Sequence, residues 1–205
     1  MKKVFAAGCG ILVVVALLVT VVVVLWGLGS YNRLVGLEEQ VNASWSQVEN
    51  VYQRRADLIP NLVNTVQGAA DFERETLTAV IEARAKATSV QLTPGELSDP
   101  QALARFEQAQ SGLGSALGRL MVVVERYPDI KANQNFIQLQ DELAGTENRI
   151  AVERKRFNES ARAFNTARRR FPAVLVAEWL GFAEKAYFQA TPGAEQPPVV
   201  DFDNN

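Results

Sequence analysis

From Gly10 to Leu28 the chain is apolar or small at every position except Thr20, and no charge interrupts the run. Crossing the hydrocarbon core of a bilayer takes about 20 such residues, and a lone segment can satisfy its backbone there only as a helix. Beyond the run the pattern changes to one apolar position every three or four residues. Val41, Trp45, Val48, Tyr52, Ile59, Leu62, Val66, Ala69, Leu77 and Val80 carry it on to Ala87. That spacing is the stripe of an amphipathic helix. Pro60 falls inside it, but the phase is the same on both sides. The reading is therefore one long helix over about residues 32–88, kinked near Asp57 to Pro60.

Leu92 to Pro100 is a turn-rich connector, with Ser98 or Asp99 as an N-cap and Pro100 at the first helical position. A second helix carries Leu103, Phe106, Gln110, Leu113, Leu117, Leu120, Val124 and Tyr127, and Pro128 stops it. A third begins near Ala132 and carries Phe136, Leu139, Leu143, Ile150, Phe157, Ala161 and Phe164. Its last turn, Arg168-Arg169-Arg170, suits the negative end of a helix dipole. Pro172 opens a shorter helix through Trp179, followed by Gly181, three aromatics (Phe182, Tyr187, Phe188) and a proline-rich tail. Period-two alternation and hairpin dipeptides are missing. The predicted fold is all-α: an N-terminal transmembrane helix continuing into an up-and-down antiparallel four-helix bundle with a long kinked first helix. The domain reading is a short segment 1–9, a membrane helix 10–29, a bundle 30–190 and a flexible tail 191–205.

Length arithmetic sharpens this picture. A helix over 32–88 would be about 85 Å long and the second only about 40 Å. The first would overhang its neighbours, leaving the stripe Leu34, Leu37, Val41 and Trp45 without an intramolecular partner. The expectation is a stalk that joins copies of the chain into a homo-oligomer.

Lys2, Lys3 and the α-amino group precede the apolar run, and only Arg33 follows it closely. By that bias the N-terminus is cytoplasmic and the bundle extracytoplasmic. A cleaved signal peptide is the alternative, but its apolar core would be shorter. Cys9 after Ala6-Ala7-Gly8 faintly resembles a lipoprotein cleavage site, yet it lies ahead of the apolar run. A single cysteine leaves no internal disulfide framework.

Net charge is −2 and the predicted pI is 5.4. No dedicated nucleic-acid binder is expected from that balance. The chain has no histidine, which removes the commonest general base and metal ligand. No catalytic, cofactor-binding or metal site is predicted.

Arg54, Arg55 and Asp57 beside Pro60 and Asn61 form the sharpest polar cluster. They read either as a recognition site at freed carbonyls or, preferably, as a network that pins helix register. Glu142, Glu147 and Arg149 on the third helix are its expected partners. Glu142 and Glu147 diverge too far around the helix for paired-carboxylate catalysis. Asn158 and Asn165, a heptad apart, read as register-setting amides. The cationic runs Arg154-Lys155-Arg156 and Arg168-Arg169-Arg170 read as solvated. With a continuous first helix the second run lies far from the membrane; only a chain folded back would bring it to the bilayer.

Tyr31-Asn32-x-Leu34-Val35, Trp45 and Arg54-Arg55-x-Asp57-Leu58-Ile59-Pro60-Asn61-Leu62-Val63 resemble the LemA family of bacterial membrane proteins. Tyr127-Pro128-Asp129, Asn135-Phe136, Thr146-Glu147-Asn148-Arg149-Ile150-Ala151, Phe157-Asn158, Phe164-Asn165 and Phe171-Pro172 extend the resemblance over nearly all of residues 31–190. It implies a single-pass anchor and a four-helix bundle with no established catalysis. One departure is Ala183-Glu184-Lys185-Ala186, where members often carry a further proline. The function expected is a non-enzymatic, membrane-anchored scaffold or adaptor that binds other copies or another envelope protein. The alternative is an extracytoplasmic ligand-sensing bundle signalling through a membrane partner.

Overall fold

The computed structural model describes residues 2–68 and 73–189, with side chains from Val14 onward. Its elements are α1 (Lys2–Gln67), α2 (Arg74–Ser89), a 3₁₀ turn (Pro94–Ser98), α3 (Pro100–Val124), α4 (Pro128–Lys131), α5 (Gln134–Arg169) and α6 (Ala173–Leu180). No strand occurs among the described residues. The tail after residue 190 lies outside them.

The long α1 carries the apolar run and, without interruption, the first bundle helix. Val14 to Leu25 expose their large side chains, as a candidate membrane span does. From Leu34 the buried positions step through Val41, Trp45, Val48, Tyr52, Ala56, Ile59, Leu62 and Val66. Pro60 sits inside α1 and does not end it.

The helix predicted over residues 32–88 is instead two. α1 ends at Gln67, and α2 returns antiparallel to it, so that Arg84 reaches Ala56 and Ala87 reaches Gln110. An apolar stripe keeps its period whether the rod continues or doubles back. Doubling back buries Val66, Leu77 and Val80 in one core with Leu113, Leu117 and Leu120. α3 then rises beside α2, capped by Asp99, whose carboxylate accepts the N–H of Gln101 at 2.8 Å. α5 descends along α1, capped by Asn133. The four bundle helices are thus α1, α2, α3 and α5 in an up-and-down order.

This geometry corrects two expectations. Between the span and Gln67, α1 is roughly 57 Å long and α5 roughly 54 Å, so little of α1 overhangs. Leu34, Val41 and Trp45 are buried in the chain's own core with Phe157, Phe164 and Ala177, and Leu37 packs against it. The stripe has an intramolecular partner, and the premise for an oligomeric stalk is gone. The fold-back also carries Arg168-Arg169-Arg170 to the membrane-proximal end, since Phe171 packs on Trp26 with ring centroids 5.7 Å apart.

The core falls into two apolar halves. The distal half lies among α1, α2, α3 and α5. The membrane-proximal half gathers Leu34 to Tyr52, Leu103, Phe106 and Ile150 to Ala167. Below the end of α2 its fourth side is closed by Leu92, Leu97 and an extended strap, residues 182–189, which contributes Ala186 and Phe188. Helix α6 ends at Gly181, whose φ of 75° lets the chain turn back along α5.

Candidate functional site

Between the two apolar halves lies a polar layer. Arg55 of α1 is 3% exposed there, beside the buried Gln110 of α3 and Thr146 of α5. Its guanidinium donates to Glu147 Oε1 at 2.6 Å, to Gln110 Oε1 at 2.6 Å and to the Gln110 carbonyl at 3.2 Å. Gln110 in turn donates its amide to the carbonyl of Ala87 on α2 at 3.2 Å. One buried charge thereby ties all four helices. The Tyr52 ring lies under the guanidinium at 5.1 Å, and burial pushes the Tyr52 hydroxyl above its ordinary value.

The second polar arrangement begins at Pro60. Lacking an N–H, it leaves the carbonyl four residues earlier without its helical donor. That carbonyl belongs to Ala56, and Arg84 Nε of α2 donates to it at 2.7 Å. The freed acceptor serves as a docking point for the returning helix, which favours the register reading over ligand capture at this carbonyl.

Of the other predicted cluster members, Arg54 pairs with Glu142 at 3.3 Å on the surface. Asp57 accepts from Gln53, one turn away at 2.8 Å. Asn61 lines an open groove with Arg54, Asp57 and Glu142. Arg149 forms no ion pair within 4 Å among the described residues and borders a neighbouring groove. The nine predicted network residues therefore divide. Arg55 and Glu147 meet in the hub, Arg54 and Glu142 meet on the surface beside a groove that Asp57 and Asn61 also line, Arg149 borders the next groove, and Asn158 and Asn165 lie elsewhere.

Asn158 and Asn165 form a separate site. Asn165 accepts the N–H of Lys185 at 2.9 Å and donates to its carbonyl at 2.8 Å. Asn158 treats Phe188 the same way, at 2.9 and 3.0 Å. Seven residues of helix rise about 10.5 Å and three residues of extended chain span about 10 Å, so the two spacings match. The amides present to the strap what a neighbouring strand would present. Leu97 O accepts from Ala186 N at 2.8 Å on the strap's other edge. Arg154 donates to Gln189 O at 3.1 Å, pairs with Glu107 and lies over the Phe188 ring at 4.6 Å. Burial pushes the Glu107 carboxyl above its usual range, against the pull of Arg154 and of the Gln189 N–H. Phe188 packs its ring against Trp45 and Phe157. Lys185, almost wholly buried, reaches Glu38 at 2.7 Å.

Sequence reasoning missed Arg84, Gln110, Glu107, Arg154 and the Lys185–Glu38 pair as parts of these sites. Signals existed for two of them. Gln110 is the one amide in the apolar seam of α3, and a proline within a helix always leaves one carbonyl to be claimed.

A profile of the LemA family matches residues 44–202, which takes in the hub, the Pro60 contact and the strap. The chain belongs to the LemA family. It is similar to the magnetosome protein MamQ of Magnetospirillum gryphiswaldense, 30% identical over 83% of this chain and 68% of that protein. The magnetosome protein MamQ 2 of Paramagnetospirillum magneticum is 29% identical over 92% of this chain and 75% of its own length. Protein LemA of Metamycoplasma hominis is 26% identical, covering 80% and 70% respectively. LemA membership accords with the all-α architecture and with the N-terminal helix long and apolar enough to cross a membrane.

Proposed function

We propose that the protein is a non-catalytic, membrane-anchored scaffold, with its bundle outside the cytoplasmic membrane, that works by holding extended segments of protein chains. The clamp made by Asn158 and Asn165 carries this reading. Both amides engage main-chain groups of the strap, and such contacts do not depend on which chain supplies them. A strap donated by a second copy meets the same donors and acceptors, which gives a route to a homo-oligomer by exchange of an identical element. The positive residues Lys2 and Lys3 ahead of the span support the orientation. The polar layer supports a non-catalytic role, because Arg55, Gln110 and Glu147 engage one another and the Ala87 carbonyl, and so join the four helices.

The test is a benzophenone amino acid at position 187 in full-length chains carrying two different tags, co-expressed and irradiated in intact membranes. A product bearing both tags is expected. Crosslinks confined to single chains would exclude strap exchange.

A second reading, ligand sensing, is favoured by the open polar groove between α1 and α5 beside Pro60, of about 640 Å³. There a small polar metabolite would raise the melting temperature in a thermal-shift panel, and loss of that rise on Asn61→Ala would assign the groove.

A further inference from the structure

Outside the span, large exposed apolar side chains are concentrated on α6 and the residues flanking it. Leu175 and Trp179 lie one turn apart on the side of α6 opposite Ala173 and Ala177, which face the core. Phe171 is 77% exposed and Trp179 86%, with Leu175 and Leu180 about half exposed. Ile81, Val122, Ile137 and Val152 are also exposed, but singly and far apart in the chain. A clustered apolar face of this kind calls for a cover.

The position of α6 says what covers it. Phe171 packs on Trp26, two residues before the end of the apolar run, at 5.7 Å. Phe182, just past α6, packs on Tyr31 at 6.0 Å. Helix α6 is thus pinned beside α1 at the level where α1 leaves the hydrocarbon, where tryptophan and tyrosine concentrate. Charge at this end fits a lipid surface. Arg168 and Arg169 are committed to the strap, through Phe182 O and Glu184. Arg33 and Arg170 border one shallow groove and form no ion pair within 4 Å among the described residues. Glu159 lines the same groove, and Glu178 is the one carboxylate on α6.

The geometry points to α6 as a second membrane contact, lying in the interface of the leaflet from which α1 emerges. Phe171, Leu175, Trp179 and Leu180 enter the boundary between headgroups and acyl chains, and Arg33 and Arg170 meet lipid phosphates. The inference rests on the membrane anchoring proposed above. Its consequence is a bundle fixed in orientation by two attachments, where α1 alone would let it swing.

Nitroxide labels on the full-length chain in nanodiscs of phosphatidylcholine and phosphatidylglycerol test this. Trp179→Cys, Val22→Cys and Val122→Cys are each made with Cys9→Ser, and collisions with oxygen and with a nickel chelate are compared. A label at position 22 reports the anchor and one at 122 reports bulk water. The expected oxygen-to-chelate ratio at 179 is about threefold or more above that at 122, as for an interfacial site. Leu175→Cys repeats the measurement with Trp179 kept. Arg33→Gln with Arg170→Gln is expected to raise chelate access at 175. If 22 is lipid-buried while 179 and 175 behave like 122, the docking is wrong and the anchor stands. If 22 is itself open to the chelate, anchor and docking fall together. Shielding of 179 from both reagents would mean that protein covers α6, which also overturns the inference.

Discussion

Arg55 occupies a position where the stripe of α1 would otherwise place a hydrophobe, and its neighbours determine the energetic outcome. Burying a charge is tolerable only when the lost water is replaced by well-placed acceptors, here Gln110 Oε1, the Gln110 carbonyl and the half-exposed Glu147. Removing the charge and removing its acceptor should therefore differ in cost. Gln110→Leu takes the side-chain acceptor from the buried guanidinium, leaves the Ala87 carbonyl without its donor, and should destabilise by about 2–3 kcal/mol. Arg55→Met, which leaves no buried charge, should cost about 1 kcal/mol or less, and the double variant should recover most of the Gln110→Leu loss. Thermal unfolding in detergent, followed by circular dichroism, measures the cycle; strict additivity would refute the coupling. Pro60 and Arg84 work on the same principle with a neutral acceptor. The proline costs α1 one hydrogen bond and hands the Ala56 carbonyl to α2, so the lesion in one helix fixes the place of the next.

At the scale of elements, the strap is an extended segment whose ladder partner is a helix. Its Lys185, Ala186 and Phe188 N–H groups find acceptors on Asn165, Leu97 and Asn158. Buried backbone groups must be paired, and here side-chain amides substitute for a neighbouring strand. Asn158→Ala removes two bonds and Asn165→Ala three, one of them to the Tyr187 hydroxyl, and each leaves a strap N–H without an acceptor. Each should destabilise strap docking by about 2 kcal/mol. Hydrogen exchange would show this as faster exchange at Lys185 for Asn165→Ala and at Phe188 for Asn158→Ala, with α2 and α3 unchanged. Equal acceleration throughout the bundle would mean that the strap does not open as a unit. The 3₁₀ turn that flanks the strap is held locally by a capping box. The Thr93 N–H and hydroxyl both donate to Glu96, which lowers that carboxyl below its usual range.

For the whole molecule, the polar layer divides a bundle that has four helices in its distal half and only three with a strap below. Stability in the lower half thus depends on the strap's end, where Glu107 and Arg154 meet Gln189. The Glu107 shift is upward, so its stabilising contribution is full below the unfolded value of about 4.5 and declines as pH rises through the folded one. Glu107→Gln removes that dependence. The melting temperature of the variant relative to the parent should accordingly rise between pH 4 and pH 7. A flat or falling difference would show that pairing with Arg154 outweighs burial. In the membrane, the same lower half bears α6 and the arginines, so strap, aromatic face and anchor all belong to one end of the molecule.

Sequence alone determined the apolar anchor, the all-α class and the starts of α3 and α5, because helix period, caps and proline positions are local properties. It also marked Arg55, Asn158 and Asn165 as structural amides and charges, since polar groups in a seam must be paired. Tertiary structure decided where α1 turns back, for Leu77 and Val80 keep the heptad rhythm whether the rod continues or reverses. That choice buried Leu34 to Trp45 inside the chain, brought Arg84 to Ala56 and carried Arg170 to the membrane end. The strap's pairing with Asn158 and Asn165 was equally beyond local pattern: it joins residues 20 to 30 positions apart by matching a helical rise to an extended one.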